Sequence, residues 1–157
     1  MRLFGTLVLL VSFMGSLSAA PDSHPNFSGT WIMNADKTDF GPLPKPDHAK
    51  YVIHHSGGSL VMEYTQDSST HHVDVTTDGE ERVTESDDES EIWTRVSWSG
   101  SVLVWEARRR AKPAHQVIPV GWVSRWSLSE DGKTLNIKRR ITSGEHSVDE
   151  VMVFEKQ

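Results

Sequence analysis

The side chains best suited to chemistry in this chain are histidines, carboxylates and arginines gathered in short runs. His54-His55 and His71-His72, with Asp74 close by, are ligand types that hold zinc or copper. Neighbours along a strand face opposite ways, so each pair offers one imidazole to a given site. No His-Glu-x-x-His spacing accompanies them, and exposed, unliganded histidines are the simpler reading. The acidic run of Glu80, Glu81, Glu85, Asp87, Asp88, Glu89 and Glu91 has oxygens for a hard cation but lacks the alternating spacing and central glycine of a calcium loop. A strand edge protected by charge explains it. No metal is expected.

Arg108-Arg109-Arg110 with Lys112 either greets an anionic ligand or ends a solvated strand. Arg95 and Arg125 alternate with apolar neighbours, and Arg125 is a candidate for holding a ligand carboxylate in a forked pair. The signal for catalysis is thin. There is no cysteine, no Gly-x-Ser-x-Gly elbow and no nucleotide-binding glycine loop. Glu63, Glu106 and the histidines remain as acid–base groups that only geometry can judge. No catalytic residue is assigned, no cofactor is expected, and a binding protein is favoured over an enzyme.

Six tryptophans are many for this length: Trp31, Trp93, Trp98, Trp105, Trp122 and Trp126. They either line a pocket for an apolar or ring-shaped ligand or simply fill a core. Trp105 shares a strand face with Leu103, and Trp122 follows a long loop, so these three are assigned to a ligand-binding lining with Tyr64 and Arg125.

What must position these residues is a series of hairpins. Strands are expected at 29–34, 50–56, 60–66, 70–77, 80–85, 91–98, 102–109, 122–128, 134–142 and 147–154. Turn formers separate them: Ser56-Gly57-Gly58, Asp78-Gly79, Ser99-Gly100, Asp131-Gly132 and Ser143-Gly144. Leu135, Ile137, Arg139 and Ile141 share one face of their strand, which puts Arg139 on the apolar side. Residues 35–49 carry Pro42, Pro44 and Pro46, and residues 111–121 carry Pro113 and Pro119; both read as loops, and in a barrel they would form its mouth. The fold class is therefore all-β, antiparallel and up-and-down, with about 8–10 strands.

Arg2, the largely apolar Leu3 to Leu17 and the small Ser18-Ala19-Ala20 form a cleavable export signal over 1–20. Residues 21–157 then form one domain, secreted or periplasmic. The apolar stretch is short for a span of about 20 residues, so no stable membrane insertion is expected after cleavage. Without cysteines the exported domain must hold together by packing alone. Loss of Arg2 moves the net charge from −6 to about −7. An acidic balance of that size argues against nucleic acid and anionic lipid as partners.

Asn26-Phe27-Ser28-Gly29-Thr30-Trp31 resembles the first strand of lipocalin-type (calycin) barrels, which carries Gly-x-Trp. The longer runs NFSGTWIMNADKTDFGP and RWSLSEDGKTLNIKRRI are together similar to exported bacterial lipocalin-like proteins of unestablished activity. The resemblance implies a barrel closed at one end by Trp31, with Gly29 permitting close approach and a late-strand cation over the indole. Arg139 matches that cation by position and face, with Arg140 in reserve. The ligand class is not inherited from these relatives; a small hydrophobic molecule is the expected partner on the strength of the Trp105 and Trp122 lining. Two departures are visible: the chain stops soon after a strand, and the prolines of 35–49 exclude the two-helix lid of fatty-acid-binding relatives. A filled barrel acting as an envelope interaction module is the alternative, and a small hydrolase or isomerase the third; the oligomeric state is left open.

Overall fold

A computed structural model describes residues 24–157; the export signal expected over 1–20 lies outside the described residues. Ten strands follow the hairpin series: β1 (Gly29–Met33), β2 (Ala49–Ser56), β3 (Ser59–Gln66), β4 (Ser69–Thr76), β5 (Glu81–Ser86), β6 (Ser90–Ser99), β7 (Val102–Ala111), β8 (Val120–Leu128), β9 (Thr134–Ser143) and β10 (His146–Lys156). No helix occurs among the described residues. Each expected strand is present to within a few residues, because period-two alternation and glycine turns act locally. Gly100 and Gly144 turn with φ near +60°, a conformation costly for a side chain with a Cβ.

All ten strands form one antiparallel sheet in the order β4-β3-β2-β1-β10-β9-β8-β7-β6-β5. β1 pairs with both β2 and β10, so the first and last strands are neighbours and the sheet curls into a nearly closed barrel. The two remaining edges, β4 and β5, face each other across a narrow gap of about 120 Å³. A register shift between Val83 and Glu85 bends β5 at that gap.

The turns β2–β3, β4–β5, β6–β7 and β8–β9 lie at one end with the start of β1 and the end of β10. Segments 34–48 and 112–119 lie at the opposite end, as expected of mouth loops. Residues 34–41 first run on along β10. Asp39 exchanges backbone hydrogen bonds with Val151 (2.7 and 2.8 Å), and Phe40 drops into the core. No helix forms between Asn34 and His48. Thr38 and Phe40 are buried along this path, and beyond it Pro42–Lys45 are exposed.

The core sits nearer the end where β1 starts. Phe27, Trp31, Leu60, Leu103 and Leu135 are wholly buried there. At about 25 cal/mol per Å² of apolar surface removed from water, this cluster supplies the cohesion that disulfides would otherwise lend.

Candidate functional site

The interior is graded from one end to the other. At the sealed end the Trp31 indole N–H donates to the Phe27 carbonyl at 2.9 Å, so the buried ring leaves no donor unmet. Residues 24–28 are tied to β2: Ser28 Oγ bridges the His55 backbone (2.9 and 3.0 Å), and the Phe27 N–H donates to His55 Nδ1 at 3.3 Å. Accepting that hydrogen bond requires a neutral imidazole. Burial pushes the His55 pKa down, an effect to which His24 adds and which a backbone hydrogen bond at Gly57 partly offsets.

The cation over Trp31 is Lys156, whose Nζ lies 5.2 Å from the ring centroid. This corrects the expectation for Arg139. Trp31 pairs directly with Lys156 on β10, whereas Arg139 pairs with Glu150, six residues further along that strand. At about 3.3 Å per residue, six residues are roughly 20 Å of strand. Gly29 has its expected place in the closure: a Cβ there would lie 2.6 Å from Lys156 Cε, and its φ is +144°.

Higher in the barrel the aromatics continue. Trp126 stacks on Trp105 (5.7 Å between ring centres), lies 5.6 Å from Tyr51 and meets Phe27 edge-on at 6.2 Å. Tyr51 in turn stacks on Tyr64 at 4.6 Å. Burial pushes the phenols of both tyrosines above their ordinary range, and each also lies within the field of Arg139 and Glu150. The Trp126 indole N–H is buried and has no hydrogen-bond partner among the described residues.

Towards the mouth the inward side chains Tyr64, Val73, Ile92, Trp122 and Ile141 are only half-buried. Beside them Arg139 Nε donates to Glu150 Oε2 at 2.5 Å, and the Glu150 side chain is 1% exposed. Ser124, buried, sits opposite Arg139 on β8. Arg109 Nε donates to Ser90 Oγ at 2.9 Å and lies 3.8 Å from Asp87 at the rim.

The assigned lining residues therefore divide. Tyr64 and Trp122 face inward in the half-buried upper section. Leu103 and Trp105 also face inward, but they sit in the packed section, Leu103 at 0% exposure and Trp105 against Trp126. Arg125 does not face inward at all. Buried Ser124 and Trp126 flank it, so alternation turns it to the outer wall, beside Lys138 and Val104. An interior carboxylate partner at Arg125 is thereby excluded. Glu150, Lys156 and the orphaned Trp126 N–H were not singled out from sequence; Glu150 and Lys156 alternate with Met152 and Phe154, the one signal that put them on the inner face.

The remaining runs separate across the sheet. His55 and His71 face inward but pair with Leu60 and Tyr64, four residues apart on β3, while His54, His72 and Asp74 face outward. Among the described residues no three His, Asp or Glu side chains approach closely enough to hold a metal ion. Arg108 and Arg110 both bind Glu81 (2.5 and 3.0 Å), and Arg110 also covers Trp93 at 4.4 Å. Outside the barrel, a cleft of about 340 Å³ lies over Gly121, walled by Trp93, Arg108, Thr142 and Arg140.

No protein-family model matches the chain, and no curated protein matches it in sequence. Solved structures do share the fold. The zebrafish ileal bile acid-binding protein complexed with cholic acid superposes with a TM-score of 0.58 at 14% identity, covering 83% of this chain and 98% of that one. A fatty acid transporter, REP1-NXSQ, gives 0.57 at 10% identity over 83% and 96%. An abundant heat soluble (SAHS) protein of Ramazzottius varieornatus gives 0.60 at 14% over 83% and 94%. At these identities the likeness is one of fold: a lipocalin-like, ten-stranded barrel.

Proposed function

We propose that this chain is an exported, lipocalin-like protein that takes a small, largely apolar molecule into the mouth half of its barrel. The observation that carries the reading is the graded interior. Phe27 and Trp31 fill the sealed end, whereas Tyr64, Val73, Ile92, Trp122 and Ile141 face inward and stay half-buried. Half-buried apolar side chains inside a concave wall gain about 25 cal/mol per Å² when a ligand completes their burial, before the costs of association. Two of the fold neighbours are named for bile acid and fatty acid, which supports the same class of occupant. Nile red, a neutral apolar dye, tests the reading: its emission should rise on binding, and Trp122→Ala should weaken the response about tenfold. Unchanged emission with the wild-type protein, together with no displacement signal from any apolar competitor, would remove the pocket.

Export, to a secreted or periplasmic destination, rests on Arg2, the apolar run and Ser18-Ala19-Ala20. The mass of the protein recovered from its host should correspond to a chain starting at Ala20 or Pro21. A retained Met1 would contradict this.

A second reading, an envelope interaction module, is supported by the outer-wall cleft at Gly121 with its exposed charges and Trp93. Co-purification of a stoichiometric protein partner, lost on Gly121→Val, would favour it.

A further inference from the structure

The charges inside the barrel say which kind of apolar molecule it suits; this step rests on the mouth-half reading above. Two arginines face inward in the mouth half among the described residues, and each has a carboxylate near it. Arg139 Nε donates to Glu150 at 2.5 Å, and Arg109 at the rim lies 3.8 Å from the exposed Asp87. The only one of these carboxylates that is deeply buried is Glu150, and it lies next to the section where a ligand would end. Lys156, the remaining inward cation, is on the far side of the Trp31 plug. A carboxylate ligand would thus meet, deep in the mouth half, only a cation already countered by the buried Glu150 carboxylate. Burying a charge without a partner is among the costliest things a binding site can do.

The same region offers a fully buried neutral donor that is left unmet. The Trp126 indole N–H is buried, lies beside Tyr51 and Trp105 just below the half-buried section, and has no partner. Buried donors are nearly always satisfied, and an indole N–H can only donate. Tyr51 links it to the open section through its stack on Tyr64.

We infer that the occupant is an uncharged apolar molecule carrying a hydrogen-bond acceptor, a carbonyl, ester or ether oxygen that takes the Trp126 N–H, rather than a free carboxylic acid. The Arg139–Glu150 pair works as the selecting element, because Glu150 counters the cation that lies deeper than the rim.

Displacement of Nile red by dodecanoate, methyl dodecanoate and dodecane at neutral pH tests this. The ester should bind the wild-type protein at least about tenfold more tightly than the acid. Glu150→Gln frees Arg139 and should reverse that order; the double variant Arg139→Gln with Glu150→Gln removes both charges and should restore it. Trp126→Phe should abolish the advantage of the ester over dodecane while leaving dodecane binding in place. Tighter binding of dodecanoate by the wild-type protein overturns the inference and leaves the pocket standing. Equal losses for ester and dodecane in Trp126→Phe overturn the role of the indole. Binding of none of the three probes removes the pocket itself, and the inference with it.

Discussion

Lys156 Nζ stands 5.2 Å above the Trp31 ring, and its stem crosses the position that a Cβ on residue 29 would occupy. The first and last strands thus meet through a cation, an indole and a missing side chain. Lys156→Met keeps the stem and removes the charge, so it should cost about 0.5–1 kcal/mol, the usual worth of a cation–π contact near the surface. Gly29→Ala should cost more, since it displaces Lys156 and strains a backbone at φ +144°. Chemical denaturation of the two variants checks the order. A Gly29→Ala protein as stable as the wild type would contradict the closure described.

Trp31 is wholly buried with its N–H satisfied by Phe27. Trp31→Ala should therefore destabilise the fold by about 3–5 kcal/mol, the range for deleting a buried large aromatic. A melting temperature that barely moves would show that the ring plugs nothing.

His55 accepts the Phe27 N–H in its neutral form, and its pKa is held below the ordinary value near 6.5. The folded state therefore resists a proton that the unfolded state takes up. Its contribution is full above about pH 6.5 and is lost as pH falls through the folded value. His55→Gln should flatten this part of the stability–pH curve while leaving the steeper loss at lower pH, where Asp78 and Asp87, held low by their hydrogen bonds, take up protons. An unaltered slope in the variant, measured by denaturant midpoints across pH, would rule out His55 as the titrating group.

Glu150 and Arg139 form a pair whose carboxylate is almost wholly enclosed. Glu150→Ala strands the guanidinium and should cost about 3 kcal/mol, whereas replacing both residues with methionine should cost much less. Equal losses in the single and double variants would show that the pair is a surface feature.

The strands were legible because alternation and glycine turns are local signals. Which cation covers Trp31 was not, because that is decided by register across the barrel seam. Arg139 lies on the apolar face as its strand pattern indicates, yet the β1–β10 pairing brings Lys156 to the indole and leaves Arg139 to Glu150. Arg125 shows a different limit. The alternation of Trp122, Ser124 and Trp126 was enough to turn it outward, but apolar neighbours on either side gave it the look of an inward residue. Trp105 was readable as inward and not as packed, because its stacking partner Trp126 comes from the adjacent strand. The unmet N–H of Trp126 leaves no trace in sequence, since it depends on what every neighbour fails to offer.

The six indole N–H resonances, followed while methyl dodecanoate is added, test whether the mouth half of the barrel is the binding site. Trp122 and Trp126 should move and saturate together, while Trp93 on the outer wall and Trp31 in the plug stay in place. Movement confined to Trp93, or six stationary signals at saturating probe, would contradict the account.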